Sequence, residues 1–129
     1  MEAIRQGDIP GVQLRRRQAL PRAPEEVWEW VADPERLARW CEPAAGERRR
    51  LLESDPPRRC QLAWEEAGWP APTRVVLELH PTAGGCELDV LHRGFERLPL
   101  STCLTVWEAY RRRWRAALER LAAILEDDR

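Results

Sequence analysis

The sequence predicts an α+β fold, an antiparallel sheet packed on one long C-terminal helix. Three observations predict it. Period-two alternation recurs in several short segments, residues 24–41 hold two proline-opened amphipathic stretches, and residues 105–125 carry an apolar stripe at helical spacing. A sheet and a helix that are each apolar on one side bury those sides against each other.

Residues 1–11 read as a loose arm ending in the turn "DIPG", and one domain is expected over 12–129. The first strand is "VQLRRRQAL", which places Val12, Leu14, Arg16, Gln18 and Leu20 on one face. Pro24 then suits the first turn of a helix, where Glu25 and Glu26 complement the positive end of the dipole. Val27, Trp28, Trp30 and Val31 share one side of that helix. Asp33 and Pro34 restart a second short helix as cap and first residue, with Leu37, Trp40 and Cys41 on its apolar face. Four strands are expected next: "RRRLLES", "RRCQLAWEE" with Cys60, Leu62 and Trp64 together, "TRVVLELH" with Val75, Leu77 and Leu79 together, and "CELDVLH" with Cys86, Leu88, Val90 and His92 together. The segments "DPP", "AGWPAP" and "PTAGG" supply the connections. Strict alternation implies one wet face and one buried face, hence an antiparallel sheet.

The last helix is expected to open at "TVWE", where Thr105 and Glu108 fit a capping box. Trp107, Tyr110, Trp114, Ala117, Leu118, Leu121 and Leu125 then fall within an arc of about 80°. Glu108 and Arg112 on the far side are spaced for an ion pair. A sheet that curls around such a helix leaves a space between them, and spaces of that kind take apolar ligands.

Bulk properties narrow the function classes. A chain of 129 residues with net charge −1 buries a real core without staples and carries no concentrated basic footprint for nucleic acid. Every basic residue apart from two histidines is arginine, and the "RRR" runs at 15–17, 48–50 and 111–113 are scattered over several faces. No apolar run approaches a membrane span and the first residues do not resemble a signal peptide, so a cytoplasmic protein is expected. Cys41, Cys60, Cys86 and Cys103 form no CxxC pair and read as reduced, structural thiols. No metal-ligand spacing, phosphate-binding loop, dinucleotide fingerprint or nucleophile motif is present, so no metal, cofactor or catalytic residue is assigned.

The stretches "APEEVWEWVADPERLARW", "LLESDPPRRCQLAWE", "LELHPTAGGCELDVLHRGF" and "RWRAALERLAAIL" resemble the SRPBCC superfamily, the START-like, birch-pollen-allergen-like helix-grip fold. The nearest branch is the one named after the heat-shock-protein-90 ATPase activator. The resemblance spans residues from Val12 onward and implies a curved sheet gripping the C-terminal helix. Its members usually carry two further strands after the second short helix. Here only residues 41–48 fill that gap, too few for a hairpin, so about five strands are expected. The strand "RRRLLES" then lies at an edge, where arginines discourage chance pairing and where a homodimer seam or a protein partner would also fit.

Six residues are candidates to line the space between sheet and helix: Arg16, Gln18, Trp64, His92, Tyr110 and Trp114. Arg16 and Gln18 share the inward parity of the first strand; one reading has them orient a ligand, the other has Arg16 reach solvent at the sheet's open end. His92 reads first as a hydrogen-bonded core residue and second as a ligand-facing or acid–base group. Trp64 faces the long helix and is the best pocket candidate. Trp28, Trp30, Trp40 and Trp114 read as packing, and Trp69 as a loop anchor or a flap over the mouth. The leading functional reading is a non-enzymatic domain holding a small apolar or amphipathic ligand. A protein-interaction module comes second, and an enzyme resembling polyketide cyclases and aromatases third.

Overall fold

The structure, a computed structural model, describes residues 12–127, and the arm expected over 1–11 lies outside the described residues. The chain runs β1 (Gln13–Leu20), α1 (Pro24–Ala32), α2 (Pro34–Trp40), β2 (Arg48–Asp55), β3 (Arg59–Glu65), β4 (Thr73–Thr82), β5 (Gly85–Arg93), a 3-10 turn (Phe95–Arg97) and α3 (Leu100–Asp127). The strands form one antiparallel sheet in the order β1-β5-β4-β3-β2. The first strand therefore pairs with the last, and among the described residues β1 and β2 are the two edges.

Alternation sets the buried face. Leu14 and Leu20 of β1, Cys60, Leu62 and Trp64 of β3, Val75, Leu77 and Leu79 of β4, and Cys86, Leu88, Val90 and His92 of β5 all turn inward against α3. The opposite face is not uniformly wet, as strict alternation had implied. Gln61, Ala63 and Val76 are buried there too, because they sit mid-sheet between longer neighbours. Gln61 completes its amide by donating to Glu53 at 3.0 Å.

Proline and capping chemistry start the two short helices as the sequence implies. Pro24 opens α1 and Pro34 opens α2, where the Asp33 carboxylate accepts from the Glu35 amide at 3.0 Å. Val27, Val31, Leu37 and Trp40 are buried, whereas Trp28 only flanks the core. The Trp40 indole donates to the Trp30 carbonyl at 2.8 Å and so ties α2 back onto α1.

The start of α3 differs from expectation. The helix begins at Leu100, so Thr105 and Glu108 are interior and form no capping box. The Pro99 carbonyl receives the Thr102 and Cys103 amides, both at 2.9 Å, which begins the helix one turn earlier. That turn escapes the periodicity because Leu100 and Leu104 are exposed, 58% and 66%. Glu108 instead pairs along the helix with Arg111 at 3.2 Å and Arg112 at 3.9 Å. Against β1, α3 is seamed by the Trp107 indole on the Gln13 carbonyl, 2.9 Å.

All four cysteines are free and buried. Burial pushes the Cys60 thiol up to about 12 and the Cys86 thiol up to about 11, with Arg59 opposing the first and Glu25 reinforcing the second.

Candidate functional site

The interior between sheet and α3 has two differently built ends. At its centre lie Trp64, His92 and Trp114, at most 1% exposed, with Phe95 stacked against His92 at 4.4 Å between centroids. The hydrogen bonds there form a chain whose direction is fixed by the donors. The Trp114 indole N–H can only donate, and it meets His92 Nδ1 at 3.0 Å. His92 must therefore carry its proton on Nε2, which faces the Thr73 hydroxyl at 2.7 Å. That hydroxyl donates in turn to the Trp64 carbonyl at 2.6 Å. Both ring nitrogens are committed. Burial, with the nearby Arg113 charge, lowers the His92 pKa to about 3, so the ring is neutral at physiological pH.

Toward the other end, Tyr110 turns the aromatic layer into a polar cluster. Its hydroxyl accepts from the Trp64 indole at 3.2 Å and lies 2.7 Å from Glu66 Oε2 and 3.1 Å from Glu47 Oε1. Burial, together with these two carboxylates, raises the phenol well above its usual range, so it remains a neutral donor. The Glu47 side chain is wholly buried and held between two guanidinium groups. Arg49 reaches it at 2.6 Å, and Arg113 contacts both of its oxygens, one at 3.1 Å. Burial alone would raise the Glu47 carboxyl, but the Arg113 hydrogen bond and the charges of Arg49 and Arg113 outweigh it and hold the group ionised, below its ordinary value. Arg49 also lies over the Trp64 ring at 4.1 Å and donates to Cys41 Sγ at 3.6 Å, and its Nη1 is buried without a hydrogen-bond partner among the described residues.

Two loops frame this cluster, residues 41–47 and 66–72. Gly46 lets them meet: its φ is +77°, and a Cβ there would stand 2.9 Å from the Ala67 Cβ. Between the loops opens a cleft of about 380 Å³ lined by Gly46, Glu47, Glu65, Glu66, Ala67 and Trp69. Trp69 packs edge-on against Tyr110 at 6.1 Å, which joins the cleft's wall to the aromatic cluster.

Four of the six sequence candidates, Trp64, His92, Tyr110 and Trp114, thus form one continuous aromatic cluster. Arg16 and Gln18 do share the inward parity of β1 but stand apart from it. Arg16 donates to the Arg111 carbonyl at 3.4 Å, and Gln18 to the Ala19 carbonyl at 3.1 Å, both partly exposed along the edge strand. The sequence reading passed over Glu47, Arg49, Glu66 and Arg113. Two of these had a signal: Arg49 has the inward parity of Leu51 on β2, and Arg113 lies three residues beyond Tyr110 on α3. Among the described residues no His, Cys, Asp and Glu group is placed to hold a metal ion, and no helix is long and apolar enough to cross a membrane.

Comparisons with known proteins agree with the architecture. The sequence model of the family described as "Activator of Hsp90 ATPase homolog 1-like protein" matches residues 21–126. No curated protein matches the sequence. A solved structure from Mesorhizobium loti is 18% identical, with TM-score 0.73 and coverage of 89% of this chain and 97% of that one. The AHSA1 protein of Silicibacter pomeroyi is 19% identical, with TM-score 0.72 and coverage of 92% and 100%. DynU16, a protein in the dynemicin biosynthetic locus, is 23% identical, with TM-score 0.70; the match covers 93% of this chain and 49% of that one. At such identities the likeness shows the fold, a helix-grip domain in which the sheet wraps one long helix.

Proposed function

The chain belongs to the Activator of Hsp90 ATPase homolog 1-like family, and on that premise we propose that it is a non-enzymatic binding domain for one small amphipathic molecule. The SRPBCC fold serves ligand binding or cyclase-like chemistry in general, so the site must decide between them. The observation that carries the binding reading is the partly buried, charge-balanced cluster of Glu47, Arg49, Arg113, Tyr110 and Glu66 beside a cleft of about 380 Å³ lined in part by Trp69. A cleft with an aromatic wall and a few fixed polar groups orients a ligand that is apolar on one side and polar on the other. Glu65 and Glu66 offer acceptors to hydroxyl or amino groups, and Trp69 offers a ring face for a flat apolar body.

His92 argues against proton-transfer catalysis. A general acid or base needs a free nitrogen and a pKa near the working pH, and this ring has neither. Native mass spectrometry of the protein purified from its own source tests the reading. The expected result is a stoichiometric small molecule that denaturation releases; protein that is bare in every such preparation contradicts it.

A further inference from the structure

We propose that two copies of the chain join edge to edge through β2, antiparallel about a two-fold axis, so that one five-stranded sheet continues into the other. Among the described residues, strand β2 pairs with β3 on one side only and leaves its other backbone edge open. Its sequence, "RRRLLESD", is complementary to itself when reversed. Antiparallel alignment about its centre sets Arg48 opposite Asp55, Arg49 opposite Ser54, Arg50 opposite Glu53 and Leu51 opposite Leu52. The two-fold doubles every pair.

A regular strand would defeat this alignment, because residues an odd number apart point to opposite faces. Strand β2 is not regular. Its ladder with β3 passes over Leu52, setting Leu51 against Leu62 and Glu53 against Gln61. The bulge shifts the parity. Arg48, Arg50, Glu53 and Asp55, opposite Glu65, Ala63, Gln61 and Arg59, all lie on the sheet's outer face, and Arg49, Leu51 and Ser54 on its inner face. The three pairs that flank the centre, Arg48 with Asp55, Arg49 with Ser54 and Arg50 with Glu53, therefore each bring together residues on the same face, and the bulge at Leu52 marks the symmetry axis.

The side chains needed are available. Arg48 and Arg50 are exposed and in no ion pair among the described residues. Glu53 uses Oε2 for Gln61 and Arg59, and Asp55 uses Oδ2 for Arg58, which leaves one oxygen of each for a partner. Leu51 and Leu52, 45% and 37% exposed, supply the apolar centre. Charges that only discourage pairing need no order, whereas charges arranged in this order reject strangers and accept a copy of themselves.

Sedimentation equilibrium over a wide concentration range tests this on the intact protein, with Arg50→Glu, Glu53→Arg and the double reversal. The wild type is expected to dimerise. By symmetry each single reversal turns two ion pairs into like-charge contacts, weakening association by about tenfold or more, and the double reversal restores it. Circular dichroism confirms that each variant is folded; should Glu53→Arg disturb its contact with Gln61, Arg50→Glu alone carries the comparison. A wild type that remains monomeric at every concentration, single reversals that leave the dimer unchanged, or a double reversal that fails to restore it overturns the proposal.

Discussion

The centre of the domain and its mouth use the same kinds of residue to opposite ends. Around His92, every polar atom of the chain Trp114–His92–Thr73–Trp64 is spent on a neighbour, and the rings leave no exposed surface. Around Glu47 the groups are charged, one guanidinium nitrogen of Arg49 has no hydrogen-bond partner among the described residues, and a cleft opens beside them. A satisfied polar chain in low dielectric rigidifies and specifies packing, while a partly satisfied one is open to further partners. A histidine among tryptophans is thus a structural element here, and the chemistry to watch lies one helical turn away, beyond Tyr110.

The largest effect that would break this contrast is at Glu47. Replacing it with alanine leaves two guanidinium groups facing each other in a largely buried cluster, and a loss of about 3 kcal/mol or more is expected by urea denaturation. A loss within the range of an exposed ion pair would mean that water already screens the mouth.

The next effect sharpens the other end. His92 has its pKa lowered to about 3 in the folded chain, whereas in the unfolded chain it titrates near 6.5. Between those values the unfolded state binds a proton that the folded state refuses, so stability falls as pH falls, by up to about 1.4 kcal/mol per unit. From pH 6.5 to 4.5 the wild type should lose about 2 kcal/mol more than His92→Gln, measured by urea denaturation at each pH. Parallel losses in the two proteins would place the histidine in contact with water.

What was legible in the sequence follows from the same contrast. Periodicity reports burial against a neighbour of known geometry, so Leu14, Leu62, Val75, Val90 and Trp114 declare their faces at once. The expected edge position of β2 also held, since residues 41–47 are too few to add a hairpin. Glu47 declares nothing, because it lies in a loop whose burial depends on Gly46 meeting Ala67 across the fold. Arg49 and Arg113 sit in runs of three arginines that resemble solvated faces, and only the buried carboxylate between them draws them inward. The first turn of α3 was missed for the converse reason: it buries only Cys103 and shows no stripe. The bulge at Leu52 was equally silent, since no glycine or proline marks it.

The smallest change in stability carries the most information about function. Trp69 is half-buried, lines the cleft and takes no part in the central chain, so Trp69→Ala should cost only about 1 kcal/mol. Native mass spectrometry of this variant and the wild type, both purified from the protein's own source, asks where the molecule sits. A bound small molecule in the wild type that is lost from the folded variant is the result predicted for binding at the mouth. Equal occupancy in the two proteins would contradict it and place the ligand elsewhere.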